Sequence, residues 1–136
     1  MAVVFSRTIE QLSRAADPKN GIIEAAGDLS GVEVMFNHIL VGTYIRPERT
    51  AGGIIRPTEN LKEDEYQGKV GLILKKGPMA FLDDDSNQFH GQNIEVGDWI
   101  VYRIGDGWSI HINGSPCRVL ADNSIRMKIQ KPDLVF

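Results

Sequence analysis

The sequence is short of several features that mark particular protein classes. It has a single cysteine, Cys117, so no disulfide can form within the chain, as suits a reducing compartment or the absence of redox pressure. Its 18 acidic side chains outnumber its 15 basic ones, which argues against a surface that binds nucleic-acid phosphates. No apolar run is long enough to cross a bilayer, and we expect no signal peptide at the N-terminus. The chain is therefore expected to be cytoplasmic and to bind neither nucleic acid nor membrane.

Residue patterns that carry catalysis are also scarce. The three histidines, His38, His90 and His111, fall in no metal-ligand spacing. Cys117 follows a proline and precedes an apolar segment, and a small buried thiol explains it better than a nucleophile does. We expect no enzymatic activity and no cofactor.

One acidic run has a partial resemblance to a calcium-binding loop. Asp83, Asp85 and Asn87 stand at the first three ligand positions of such a loop. The glycine that the loop requires is replaced by Gln88, and Ile94 stands where a bidentate glutamate is needed. The run is therefore interpreted as a solvated loop, without a metal.

The first 33 residues are predicted to form an N-terminal extension with one short helix. Residues 6–16 have apolar side chains at helical spacing, and the pattern is followed by Asp17-Pro18 and Asn20-Gly21, predicted as a helix stop and a turn. A helix of this length is marginal in isolation, so it must dock on its own barrel or on a neighbour. The apolar positions of this helix are Ile9, Leu12 and Ala16.

From residue 34 onward the pattern changes to short strands. Turn residues separate the strands at close spacing, which is typical of a small antiparallel barrel or sandwich. The aromatic residues Trp99, Tyr102 and Trp108 on these strands are predicted to pack in a core, since an acidic protein gives no reason to expect base stacking. Residues 34–136 are therefore predicted to form one mainly β domain, an irregular antiparallel barrel with long loops. The predicted strands lie within 34–45, 69–74, 99–104, 108–112, 118–120 and 125–130.

Two long excursions, residues 46–67 and 77–93, interrupt the strands. Long loops in a compact barrel are uncommon unless they bind or assemble something. In the first, Gly52 and Gly53 supply backbone freedom directly before Ile54 and Ile55. These two isoleucines either dock in an apolar groove of a partner or start the next strand of the barrel.

These motifs, in this order, resemble the GroES-type bacterial co-chaperonin family. The segment Thr50-Ala51-Gly52-Gly53-Ile54-Ile55 is similar to the mobile loop of that family, and Val96-Gly97-Asp98-Trp99-Ile100-Val101-Tyr102 to its V-G-D-x-V-x-[FY] strand. Gln67-Gly68-Lys69-Val70 resembles the strand start after the loop. The resemblance covers about residues 34–136. It departs from the family at Arg56, where the family has an aliphatic residue.

The resemblance implies a subunit of a heptameric dome that caps a double-ring, ATP-driven chaperonin. By position, Gly52 and Gly53 would be the hinge of the loop, and Ile54 and Ile55 its anchors in a groove between two helices of the chaperonin. Residues 77–93 would lie at the roof of the dome. The site residues are thus Gly52, Gly53, Ile54, Ile55 and Arg56.

Two hypotheses of different class remain open at this point. The first is a divergent co-chaperonin, possible in a phage, whose partner is a chaperonin ring. The second is a structural protein of a virion, a capsid decoration or cement protein that reuses the barrel and binds the major capsid protein. Both predict a homo-oligomer. Arg56 and residues 1–33 are the features that distinguish the two hypotheses.

Overall fold

The computed structural model of the chain describes residues 17–45, 69–85 and 88–135. The helix and strands are numbered here in chain order within those ranges. Two short 3₁₀ turns, Asp122–Ser124 and Pro132–Leu134, flank the last strand. The elements are α1 (Pro18–Ala26), β1 (His38–Thr43), β2 (Val70–Lys76), β3 (Trp99–Val101), β4 (Trp108–Ile112), β5 (Ser115–Ala121) and β6 (Met127–Ile129).

All six strands belong to one antiparallel sheet, in the order β4-β5-β1-β2-β3-β6. The prediction of a mainly β antiparallel fold is confirmed, and each predicted strand segment overlaps a strand. Within the described part of the chain, the outer strands β4 and β6 do not pair with each other. In residues 17–45, 69–85 and 88–135 the sheet is therefore an open row of strands.

The turn between β4 and β5 shows how closely local sequence controls this sheet. Asn113 and Gly114 both have positive φ, 52° and 78°, and they join the paired residues Ile112 and Ser115. A two-residue hairpin turn of this type needs left-handed backbone at both positions, which asparagine and glycine tolerate best. The predicted turn at Asn113-Gly114 is confirmed.

Apolar side chains are buried on both faces of the sheet, in two separate clusters. One cluster packs under α1 and includes Trp99. The other lies on the opposite face and includes Tyr102. The buried members are Ile22, Tyr44, Ile45, Val70, Leu72 and Trp99 in the first, and Ile39, Val41, Ile73, Ala80, Ile100, Tyr102 and Leu120 in the second.

The turn predicted at Asn20-Gly21 is wrong, because both residues lie within a helix, α1, that begins at Pro18. The stop predicted at Asp17-Pro18 stays a prediction, because the helix that it would end lies before the described residues. The Asp17 side chain accepts a hydrogen bond from Lys19 N at 3.1 Å, which caps the N-terminus of α1. Pro18 occupies the first turn, where its missing N–H costs nothing, and Asn20-Gly21 continues the helix. The helix predicted over residues 6–16 lies outside the described residues.

Helix α1 packs on the sheet over a glycine. Ile22 is buried against Gly42 of β1, where an added Cβ would lie 2.3 Å from Ile22 Cγ2. Past the helix, Lys75 Nζ donates to the carbonyls of Leu29 and Val32 at 2.8 and 2.6 Å. These contacts fasten residues 18–32 to β1 and β2.

The prediction that all three strand aromatics pack in a core is wrong for Trp108. Trp99 and Tyr102 are buried, but Trp108 is 68% exposed. It lies on the outer strand β4 and stacks on His38, with 6.4 Å between ring centroids. On the other outer strand Met127 is also exposed. Outer strands have one neighbour only, so alternation alone does not bury their apolar residues.

Candidate functional site

The predicted site residues Gly52, Gly53, Ile54, Ile55 and Arg56 lie outside the described residues. The structure does describe both ends of the segment that carries them. The described residues stop at Ile45, two positions after the end of β1, and resume at Lys69, directly before β2 begins at Val70.

The two ends lie side by side. Thr43 and Gly71 are partners in the β1–β2 ladder, and Tyr44 N donates to Val70 O at 3.0 Å. The segment 46–68 is therefore the connection of an antiparallel strand pair. Its ends are held together by the sheet, so closing this loop entails no further ordering of the strands that flank it.

The base of this connection is buried on the face that α1 covers. Tyr44, Ile45 and Val70 belong to one apolar cluster. The Tyr44 ring packs edge-on against Trp99, with 5.7 Å between centroids, and its hydroxyl donates to the Asp133 carboxylate. Aromatic packing and a hydrogen bond thus fix the residue two positions before the loop begins.

The opposite face of the same base holds buried polar groups. The Arg118 guanidinium lies over the Tyr102 ring, 5.3 Å from its centroid, and donates to the carbonyls of Ile104 and Asp106. Burial raises the pKa of the Tyr102 hydroxyl, while the positive charge of Arg118 opposes that shift. Thr43 is also buried on this face. These buried groups pack on the sheet beside Thr43, the last residue of β1 before residues 46–68.

The second excursion, residues 77–93, is folded against the sheet in its described parts. Phe81 N donates to the buried Asp122 carboxylate at 3.0 Å, and the same carboxylate accepts from Asn37 Nδ2 at 3.1 Å. Phe89 N donates to Asp83 Oδ1 at 2.6 Å. The Asp83 carboxylate therefore links two parts of the excursion, because it accepts from a backbone N–H six positions further along the chain. Among the described residues, no group of three or more potential metal-ligating side chains occurs.

Cys117 is a buried free thiol on β5, and the sequence-based interpretation of it is confirmed. Burial raises its pKa from 9.0 to about 11. Because only the thiolate is nucleophilic, the reactive fraction at pH 8 falls roughly a hundredfold. We expect iodoacetamide at pH 8 to alkylate Cys117 at least 100-fold more slowly in the native protein than in urea, as measured by mass spectrometry. Equal rates would contradict the burial of this thiol.

Several residues at the base had no sequence signal. Tyr44 and Asp133 are separated by 89 positions, and Lys75 reaches carbonyls more than 40 positions away. Local periodicity cannot identify such pairs, because they depend on how the sheet brings distant strands together.

Comparison with known proteins gives one consistent result. Residues 31–129 match the family model of the chaperonin 10 kDa subunit. A protein named Co-chaperonin GroES 3 from Bradyrhizobium diazoefficiens is 30% identical over 91 residues, covering 67% of this chain and 82% of that protein. Co-chaperonin GroES 2 from Mesorhizobium japonicum is 30% identical over 97 residues, covering 71% of this chain and 88% of that protein.

Proposed function

The chain belongs to the chaperonin 10 subunit family, and from that membership we propose that it acts as a co-chaperonin, capping a double-ring chaperonin and assisting protein folding in the cytoplasm. The partner ring hydrolyses ATP, and this chain contributes no catalytic group. The family match over residues 31–129 is the observation that carries this proposal. No helix among the described residues is long and apolar enough to cross a membrane.

We propose that residues 46–68 are the part of the chain that engages the chaperonin. Gly52 and Gly53 act as its hinge, and Ile54 and Ile55 as its anchors. Burial of each isoleucine contributes roughly 1.5–3 kcal/mol before ordering costs. The paired ends of β1 and β2 support this role, because they project the connection from a fixed base.

The charge of Arg56 limits where this residue can lie in the apolar groove of the chaperonin. A guanidinium costs free energy in an apolar site unless its head reaches water or pairs with an acid. Arg56 therefore lies at the rim of the groove, with Ile54 and Ile55 inside.

A single short anchor binds weakly, so the function requires several copies acting together. We propose a homo-oligomer that presents several loops to one chaperonin ring. Once one loop is bound, the others bind at high effective concentration. Residues 77–93 lie at the roof of this assembly.

The test is capture of the purified protein by its cognate double-ring chaperonin, with and without ATP, followed by native mass spectrometry. We expect an oligomer of the chain to bind the chaperonin only with nucleotide. Circular dichroism on the same sample shows that the protein is folded. Absence of capture by a folded sample would overturn the co-chaperonin role, and would favour the virion structural protein with a major capsid protein as its partner.

A further inference from the structure

A groove of about 440 Å³ separates the first turn of α1 from β6. Its lining is mixed, with Gly97, Trp99 and Ile129 beside four charged or polar residues, Lys19, Asp98, Lys128 and Gln130. β6 is an outer strand, with β3 as its sole partner strand in the described part of the sheet. Native proteins usually cover such an edge.

Exposed apolar side chains flank this groove. Ile23 is 46% exposed, and it lies one helical turn after Lys19 on the same face of α1. Val96 is 52% exposed and precedes Gly97, which also lines the groove. An added Cβ on Gly97 would lie 3.4 Å from Lys19 Nζ, so the helix start and this turn are in contact. The groove is thus flanked by two exposed apolar side chains, Ile23 and Val96.

The chain preceding the described residues starts beside this groove. Asp17 is the first described residue, two positions before Lys19 at the border of the groove. The 16 residues before it include the predicted helix with its apolar stripe of Ile9, Leu12 and Ala16. A helix of that length needs a docking surface to be stable. The apolar side of an amphipathic helix can pack on the exposed apolar side chains beside the groove while its polar side faces water.

We propose that residues 6–16 dock in the groove between α1 and β6 of their own molecule. Their apolar stripe covers the part-buried Ile129 and the exposed Ile23 and Val96, and residues 6–26 form a clasp across β6. Leu12 can reach the groove, because the chain from Leu12 to Asp17 spans roughly 8 Å as helix and roughly 17 Å when extended. Direct attachment at Asp17 gives the segment a millimolar-range effective concentration, which favours its own groove over that of a second copy.

This clasp is an addition to the family domain. The matched region begins at residue 31, so neither α1 nor the segment before it belongs to it. The proposal does not depend on chaperonin binding, and its test uses no chaperonin.

Crosslinking tests the docking directly. Cysteines are placed at Ser13→Cys and Gln130→Cys in the full chain and treated with a short bis-maleimide at neutral pH. Native Cys117 does not compete, since it is buried with a raised pKa. We expect an intrachain crosslink at monomer mass. The control pair, Ser13→Cys with Ser109→Cys on the opposite outer strand β4, is expected to give at least tenfold less product.

A matched pair of variants links the crosslink to the apolar stripe. Leu12→Asp places a charge on the stripe, and Gln11→Asp places the same charge at the adjacent position on the other side of the predicted helix. We expect Leu12→Asp to lower the yield at least tenfold and to raise the rate of tryptic cleavage at Arg7 and Arg14 at least tenfold. Gln11→Asp is expected to change both less than twofold.

Three results would overturn the proposal. The first is no crosslink in the folded protein. The second is a crosslink at dimer mass only, which would place the segment on a second copy. The third is equal yield and cleavage in the two aspartate variants, which would mean that the apolar stripe plays no part. Circular dichroism of each variant establishes that the sheet is intact.

Discussion

Replacing Ile54 and Ile55 together with serine is expected to lower capture by the chaperonin at least 100-fold. The proposed anchors contribute roughly 3 kcal/mol or more per subunit when both are buried, and each 1.4 kcal/mol corresponds to about a tenfold change in affinity. Because several subunits bind one ring, the losses compound. The measurement is a titration of the chaperonin with the variant in the presence of ATP, read by native mass spectrometry.

The control for this variant is Ile104→Ser. Ile104 is 41% exposed in the loop before β4, so its replacement removes the apolar side chain of one isoleucine and keeps the backbone carbonyl that accepts from Arg118. We expect Ile104→Ser to bind as the unmodified protein does. Unchanged capture by the double variant would show that Ile54 and Ile55 are not anchors, even if the protein is a co-chaperonin.

Leu72→Ala is expected to cost about 2–5 kcal/mol of the free energy of unfolding. Leu72 is fully buried at the centre of β2, where it is paired with Gly42 of β1 and Trp99 of β3. Its neighbours are held by two strands and by α1, so they cannot collapse into the space that the side chain leaves. A loss of this size is a large share of the stability of one domain, which is typically about 5–15 kcal/mol.

Urea denaturation checks this prediction at one fixed protein concentration, because oligomerisation shifts apparent stability. The matched variant is Leu82→Ala, since Leu82 is 58% exposed in the second excursion. We expect it to change the free energy of unfolding by less than about 0.5 kcal/mol. A similar loss in both variants would contradict the burial assigned to β2.

The strands could be predicted because their signals are local. Short apolar runs bounded by glycine, asparagine and aspartate indicated all six, and Asn113-Gly114 indicated the hairpin turn. The start of α1 could have been predicted as well. Asp17 followed by Pro18 is a strong helix beginning, but Asn20-Gly21 directly after it was interpreted as a turn.

The sequence could not predict which apolar residues are exposed because they lie on an outer strand. Trp99 and Trp108 have similar neighbours in the sequence, yet one is buried beside Tyr44 and the other is exposed on β4. Strand order decides this difference, and strand order is set by pairings between distant segments. The site residues Gly52 to Arg56 lie outside the described residues and stay predictions.

The sequence by itself determined the mainly β class, the positions of the strands and the motifs that the family shares, because each depends on residues close together along the chain. The tertiary structure alone decided which apolar residues are covered and how the loop is held. Gly42 has no side chain, which leaves room for Ile22 of α1, and the Tyr44 hydroxyl donates to Asp133, 89 positions away in the sequence. Such contacts depend on the space between packed elements, and no local pattern encodes that space.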